Sequence, residues 1–150
     1  MKLKDVLTEL EKKGSDSIKR VLVKHGAKEP FFGVRIGDMK PIAKKLKGEQ
    51  ALALELYATG IGDAQYLAGM VADGRRMTPK QLETWAETAA WSMISGTIVP
   101  WVASEHPEGF TLATEWIDSK DEEVARAGWH TLAAIATTTP DAELPIAEYG

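Results

Sequence analysis

Stops recur along this chain at the length of a short helix. Gly14, Gly26, Gly48, Gly60 and Gly74 each close a run whose apolar side chains are spaced three and four residues apart. In "LKDVLTELEKK" the stripe is Leu3, Val6, Leu7 and Leu10, and in "SDSIKRVLVKHG" it is Ile18, Val21 and Leu22 behind capping residues. "AKEPFFGVRIG" interrupts the pattern, because Pro30 and two glycines favour a loop. Asp38 is then expected to cap "MKPIAKKLKG", with Pro41 in the first turn, where its missing N–H does least harm. "EQALALELYATG" should end at Gly60 and "GDAQYLAGMVADG" at Gly74. Thr78 and Pro79 open "TPKQLETWAETA" as N-cap and first helical residue.

"HPEGFTLATEWIDS" and "KDEEVARAGWHTLAAIATTTP" continue the series, the second with Val124, Gly128, Thr131, Leu132 and Ile135 on one stripe. "PDAELPIAEYG" reads as the first turns of another helix. About ten short helices without a linker make the chain all-α. They fall into pairs of roughly 35 to 45 residues, which points to a right-handed α-solenoid of HEAT-like, armadillo-type repeats. A compact bundle fits the periodicity nearly as well. The abrupt stop in the last helix favours the solenoid, as one domain over residues 1–150 truncated at its C-terminal end.

Composition narrows the classes of function. The chain has no cysteine, which excludes disulfides, thiolate metal sites and thiol nucleophiles. No apolar run approaches the roughly 18 residues that cross a bilayer, so no membrane partner is expected and the cytoplasm is the default location. The net charge of −4 conceals an asymmetry. Residues 1–48 carry thirteen Lys or Arg against six Asp or Glu, and residues 49–150 carry five against sixteen. A basic lobe on an acidic chain is a footprint for a polyanion, although lysines also serve simply to solvate helix faces. Lys40, Lys44 and Lys47, at i, i+4 and i+7, should share one face.

Several chemistries lack their residues. There is no phosphate-binding G-x-x-x-x-G-K-[ST] loop, and "GVRIGD" lacks the third glycine and the preceding strand of a dinucleotide site. His25, His106 and His130 show no i, i+4 pairing, so no metal is expected. No serine sits in G-x-S-x-G. "DSKDEE" (118–123) reads as a solvated turn feeding a helix N-terminus, where carboxylates are favourable. No cofactor is implied.

Three tryptophans crowd "TWAETAAWSMISGTIVPW" (84–101). On a helical wheel Trp91, Ser95, Ile98 and Val102 share one stripe, which is a core pattern. Pro100 cannot donate to the Gly96 carbonyl and should kink the helix there, turning the Trp91 end toward a groove. Trp91 is thus divided between core and groove. Trp85 and Trp101 are assigned to packing, and Trp116 and Trp129 to packing between repeats.

Three segments together resemble the DNA alkylation repair family of HEAT-like alkylpurine DNA glycosylases. "FFGVRIGDMKPIAKKL" (31–46) is similar to the family's F/Y-x-G-V-x-x-x-D-L-R-x-[IL]-A-K segment. "ALALELYATGIGDAQYLAGMVAD" (51–73) is similar to its helical pair, and "EWIDSKDEEVARAGWHTLAAIA" (115–136) to its W-I-x-S-x-x-x-W-x-R-R-A-G/A helix. The resemblance implies binding of damaged duplex DNA on the concave face. It implies a W-D-x-x-D segment whose tryptophan packs against the lesion and whose second aspartate stabilises the developing sugar cation. The matching residues here are "WSMIS" (91–95): Trp91 is retained, and Ser92 and Ser95 stand where the aspartates would be. A further family tryptophan would lie beyond residue 150. Arg126 matches an arginine that faces the DNA backbone.

A serine dipole cannot replace the full negative charge that an oxocarbenium-like state calls for. Base excision is therefore expected to be weak or lost, unless another carboxylate serves. Glu87 is the candidate, one turn before Trp91 if the helix runs through. The catalytic candidates are then Trp91, Ser95 and Glu87. The DNA-binding candidates are Arg35, Lys40, Lys44, Lys45, Arg75, Arg76 and Arg126. The competing class is a HEAT-type scaffold that binds another protein, and a steep salt dependence of DNA affinity separates the two.

Overall fold

A computed structural model describes residues 2–138. All regular structure among them is helical: α1 (Leu3–Lys13), α2 (Asp16–Lys24), α3 (Ile36–Lys45), α4 (Gln50–Ala58), α5 (Gly62–Val71), α6 (Pro79–Thr88), α7 (Val99–Glu105), α8 (Gly109–Trp116) and α9 (Glu122–Thr138). A 3-10 turn covers Gly74–Arg76, and a π-helical turn covers Ile94–Ile98. The segment "PDAELPIAEYG", expected to begin another helix, lies outside the described residues.

Successive pairs stack as repeats. α4 packs on α5, α6 on α7, and α8 on α9, while α5 meets both α3 and the π turn, and α9 meets α7 and the π turn. One apolar cluster runs through the stack from Val6 and Leu10 to Val124 and Ala127. This continuous side-by-side burial is the HEAT-like arrangement anticipated from helix length, and it excludes a compact bundle.

The caps mostly follow the sequence. Thr78 Oγ1 accepts from the Gln81 N–H at 3.1 Å, and Gln81 Oε1 accepts from the Thr78 N–H at 2.9 Å, a reciprocal capping box before α6. Asp121 Oδ1 accepts from the Glu123 N–H at 2.9 Å and starts α9. Of the expected α9 stripe, Val124, Gly128, Thr131 and Leu132 are buried and Ile135 is half-buried.

Two helix ends differ from expectation. α3 begins at Ile36 with Arg35 as N-cap, so Asp38 is its third residue and Pro41 falls inside the helix. The hydrogen bond lost there is the one to the Gly37 carbonyl, on an exposed face where water can replace it. α5 ends at Val71 rather than at Gly74. Gly74 instead begins the 3-10 turn and is buried, because a Cβ there would lie 2.0 Å from the Val102 carbonyl oxygen. It permits backbone contact between repeats instead of stopping a helix.

Buried polar groups tie the loops to this frame. The Asp63 carboxylate, on α5, accepts from the N–H groups of Phe32, Gly33 (3.3 Å) and Val34 (3.0 Å). Gly33 has φ of +79°, a conformation that suits glycine and lets three successive N–H groups converge on one carboxylate. Gln65 donates to the carbonyls of Tyr57 (3.2 Å) and Thr88 (3.0 Å) and accepts from the Ala90 N–H at 2.7 Å. That fully buried amide secures the end of α6 and the break that precedes Trp91.

Candidate nucleic-acid interface

The expected kink takes the form of a π turn. Pro100 has no N–H, and the ladder accommodates the loss by widening: the Val99 N–H reaches back five residues to the Ile94 carbonyl. The turn buries Ile94, Ser95 and Ile98. Trp91 goes to the core side, only 6% exposed, with its Nε1 3.0 Å from where a Cβ on Gly62 would stand. Beside it is a cavity with about 50 Å3 open to the centres of water-sized molecules, lined also by Phe31, Met39, Tyr66 and Ile94.

Ser95 is completely buried, and its hydroxyl donates to the Glu123 carboxylate. The Ser92 hydroxyl donates to the other oxygen of the same carboxylate at 3.3 Å. The hydroxyls of Ser92 and Ser95 thus converge on one acid carried by the next repeat. Glu123 was hidden in the "DSKDEE" turn. Only the packing of α9 on the π turn reveals it, since no spacing within a single sequence links residue 123 to residue 95.

Farther along α9, Arg126 and His130 lie over the same turn. A Cβ on Gly96 would stand 3.4 Å from Arg126 Cδ and 3.6 Å from His130 Cδ2. Gly96, Pro100, Trp101 and His130 line a groove between this turn and α9. Trp101 is 48% exposed and Trp129 61%, against the expectation that both are packed. They occupy the outward positions of α7 and α9, where the stripes Val99–Val102–Ala103 and Val124–Ala127–Leu132 fill the buried faces. Trp85 and Trp116 are buried as expected, although the Trp116 indole N–H has no hydrogen-bond partner among the described residues.

Glu87 stands apart from this group. α6 ends at Thr88 and the chain breaks at residues 89–91, so the helix does not run through to Trp91. The Glu87 side chain is exposed in a different groove, with Glu83, Glu115, Ser119 and Asp121. The acidity of that groove opposes phosphate.

The basic candidates are distributed over several elements. Arg35, Lys40, Lys44 and Lys45 are exposed at the cap and along α3, whose inner side chain Met39 lines the Trp91 cavity. Lys45 Nζ lies 3.4 Å from Glu9 Oε1 and is shared with α1. Lys47 falls beyond the end of α3, so the helix itself offers Lys40 and Lys44 one turn apart. Arg75 and Arg76 are exposed on the 3-10 turn that packs against α7. Among the described residues no group of three His, Asp or Glu side chains is arranged to hold a metal ion, and no helix is long and apolar enough to cross a membrane.

A stack of helical pairs with a widened turn after Trp91, a buried Ser95 and basic side chains at exposed positions defines a HEAT-like repeat protein. The chain belongs to the DNA alkylation repair enzyme family, which it matches over residues 6–148. It is also similar to a solved structure from a family of proteins related to the HEAT-like repeat DNA glycosylases with affinity for branched DNA structures. The TM-score is 0.91 and the identity 39%, over 99% of this chain and 63% of that one. Uncharacterized proteins of Listeria innocua and Listeria monocytogenes are 26% and 25% identical over 142 residues, which is 91% of this chain. The chain spans 63% of the length of each of these relatives.

Proposed function

We propose that this chain binds branched or otherwise distorted DNA through its basic side chains, and that it excises alkylated bases poorly or not at all. The observation that carries the reading is the state of Ser95: a buried neutral hydroxyl, already donating to Glu123, at the position where the resemblance calls for a free carboxylate. The carboxylate that stands at this turn, Glu123, has both oxygens taken up by the Ser92 and Ser95 hydroxyls, so an oxocarbenium-like state lacks a free electrostatic stabiliser worth about 10²–10³ in rate. Trp91, buried in the core, is not offered to a base in this conformation.

Binding rests on the remaining groups. Arg35, Lys40 and Lys44 on one repeat, Arg75 and Arg76 on the next, and Arg126 on the last described helix supply cations for phosphates. Exposed Trp101 stands beside the Arg126 and His130 side of the π turn. The solved relative's affinity for branched DNA favours a structured duplex over an ordinary linear one.

The test is a titration of a four-way junction and a linear duplex of equal length over a range of salt, alongside release of base from a 7-methylguanine duplex. Tighter binding to the junction with a steep salt slope, and no release above background, is the expected outcome. Rapid release of the methylated base, or binding indifferent to salt, would overturn the reading.

A further inference from the structure

The geometry points to Glu123 as a positioning residue that occupies, from the neighbouring repeat, the carboxylate place of the Trp91 turn. It latches α9 to that turn and shuts an aspartate out of position 95. This inference rests on the reading that position 95 is the site's carboxylate position.

Both oxygens of Glu123 are engaged, one by the Ser95 hydroxyl and the other by that of Ser92 at 3.3 Å. The donors lie on either side of the start of the π turn, and the acceptor lies in the first turn of α9, whose start is itself capped by Asp121. Two repeats are therefore joined at one carboxylate. Glu123, Arg126 and His130 fall at i, i+3 and i+7, so they form one face of α9. The latter two lie over Gly96, the residue that follows Ser95. Fixing Glu123 fixes where along the π turn Arg126 stands.

The same arrangement explains why both family aspartates are serines together. A carboxylate at 95 would meet Glu123 in a place where Ser95 is wholly inaccessible to water. Two carboxylates sharing such a site cannot both stay ionised without strong mutual destabilisation. Hydroxyls can donate to an acid, whereas carboxylates cannot. Aspartate at 95 and Glu123 are thus alternative occupants.

The experiment compares melting temperatures of Ser95→Asp and Ser95→Asn, which are alike in size and differ in charge. Each is made in the natural background and in Glu123→Gln. With Glu123 present, Asp should lower the melting temperature by about 10 °C more than Asn, or prevent folding where Asn folds. With Glu123→Gln the two should cost the same to within about 2 °C. Equal costs of Asp and Asn in both backgrounds would overturn the latch. If neither folds in either background, the same comparison at half-buried Ser92 decides, with equal costs again counting against it. A second measurement reads the positioning of Arg126. Glu123→Ala should lower the salt slope of junction binding by about one phosphate, as Arg126→Gln does, and Glu123→Gln should restore it. An unchanged slope in Glu123→Ala, where junction binding itself is present, would show that Glu123 does not position Arg126. Absence of junction binding would defeat the proposed function while leaving the melting comparison to judge the latch.

Discussion

Asp63 Oδ1 lies 3.0 Å from the backbone nitrogen of Val34, and the same carboxylate also accepts from Gly33 and Phe32. A single side chain in the first turn of α5 thus gathers the loop that leads into α3. With it come Phe31, which lines the Trp91 cavity, and Arg35, which caps α3. Asp63→Ala should leave three N–H groups, two of them buried, without this acceptor, and at about 1–3 kcal/mol for each buried group a loss of about 2 kcal/mol or more is expected. Asp63→Asn keeps one acceptor oxygen and should fall between. Urea unfolding of both variants checks the order, and a loss below 1 kcal/mol for Asp63→Ala would contradict it.

Tyr57 and Trp85 lie face to face, with ring centroids 4.0 Å apart and an angle of 4°, and the phenol donates to the Trp85 carbonyl at 2.6 Å. Burial holds the Tyr57 phenol well above its ordinary value of 10.0. The folded state then keeps a proton that the unfolded chain releases. The stabilising contribution is complete below pH 10 and is lost as pH rises above it, by about 1.4 kcal/mol per pH unit for one proton. Tyr57→Phe should lose about 1–3 kcal/mol at neutral pH by orphaning the carbonyl, and should show a shallower alkaline decline. Parallel pH–stability curves for the two proteins would be inconsistent with a buried, neutral Tyr57.

Trp91→Ala separates the two fates weighed for this ring. Because the ring is buried against Gly62, truncation should cost about 3–5 kcal/mol of stability. Binding of a four-way junction at a temperature where the variant is folded should change little. A large loss of affinity with a small change in melting temperature would mean that the ring reaches DNA.

The charge map predicts which substitutions alter the salt dependence of DNA binding. Lys40→Gln, Lys44→Gln and Arg126→Gln should each lower the slope by about one phosphate contact. Lys45→Gln should lower it less, because Lys45 is shared with Glu9. Glu87→Gln, in the acidic groove lined by Glu83 and Asp121, should leave it unchanged. A Glu87 effect equal to that of Arg126 would place the DNA in the groove lined by Glu83, Glu87 and Asp121.

Much of this molecule could be read from the chain alone, because the signals involved are local. A helix is stopped or capped by residues within one turn of its end. Thr78 with Pro79, the stripe Val124–Thr131–Leu132 and the interruption at Pro100 were therefore legible, and with them the all-α repeat fold. The resemblance around Trp91, Ser92 and Ser95 likewise lies in a short continuous segment. Other features depend on contacts that sequence spacing does not encode. Whether Trp101 and Trp129 are covered, whether Glu87 or Glu123 stands by Ser95, and why Gly74 is a glycine are all settled by which helix lies against which. The π turn shows the boundary: Pro100 dictates that a hydrogen bond is lost, but packing against α5 and α9 determines that the backbone widens and delivers Ser95 to an acid from the next repeat. Helix ends answer to neighbours in sequence, whereas a buried carboxylate answers to neighbours in space, and only the tertiary fold could bring Glu123 and Ser95 together.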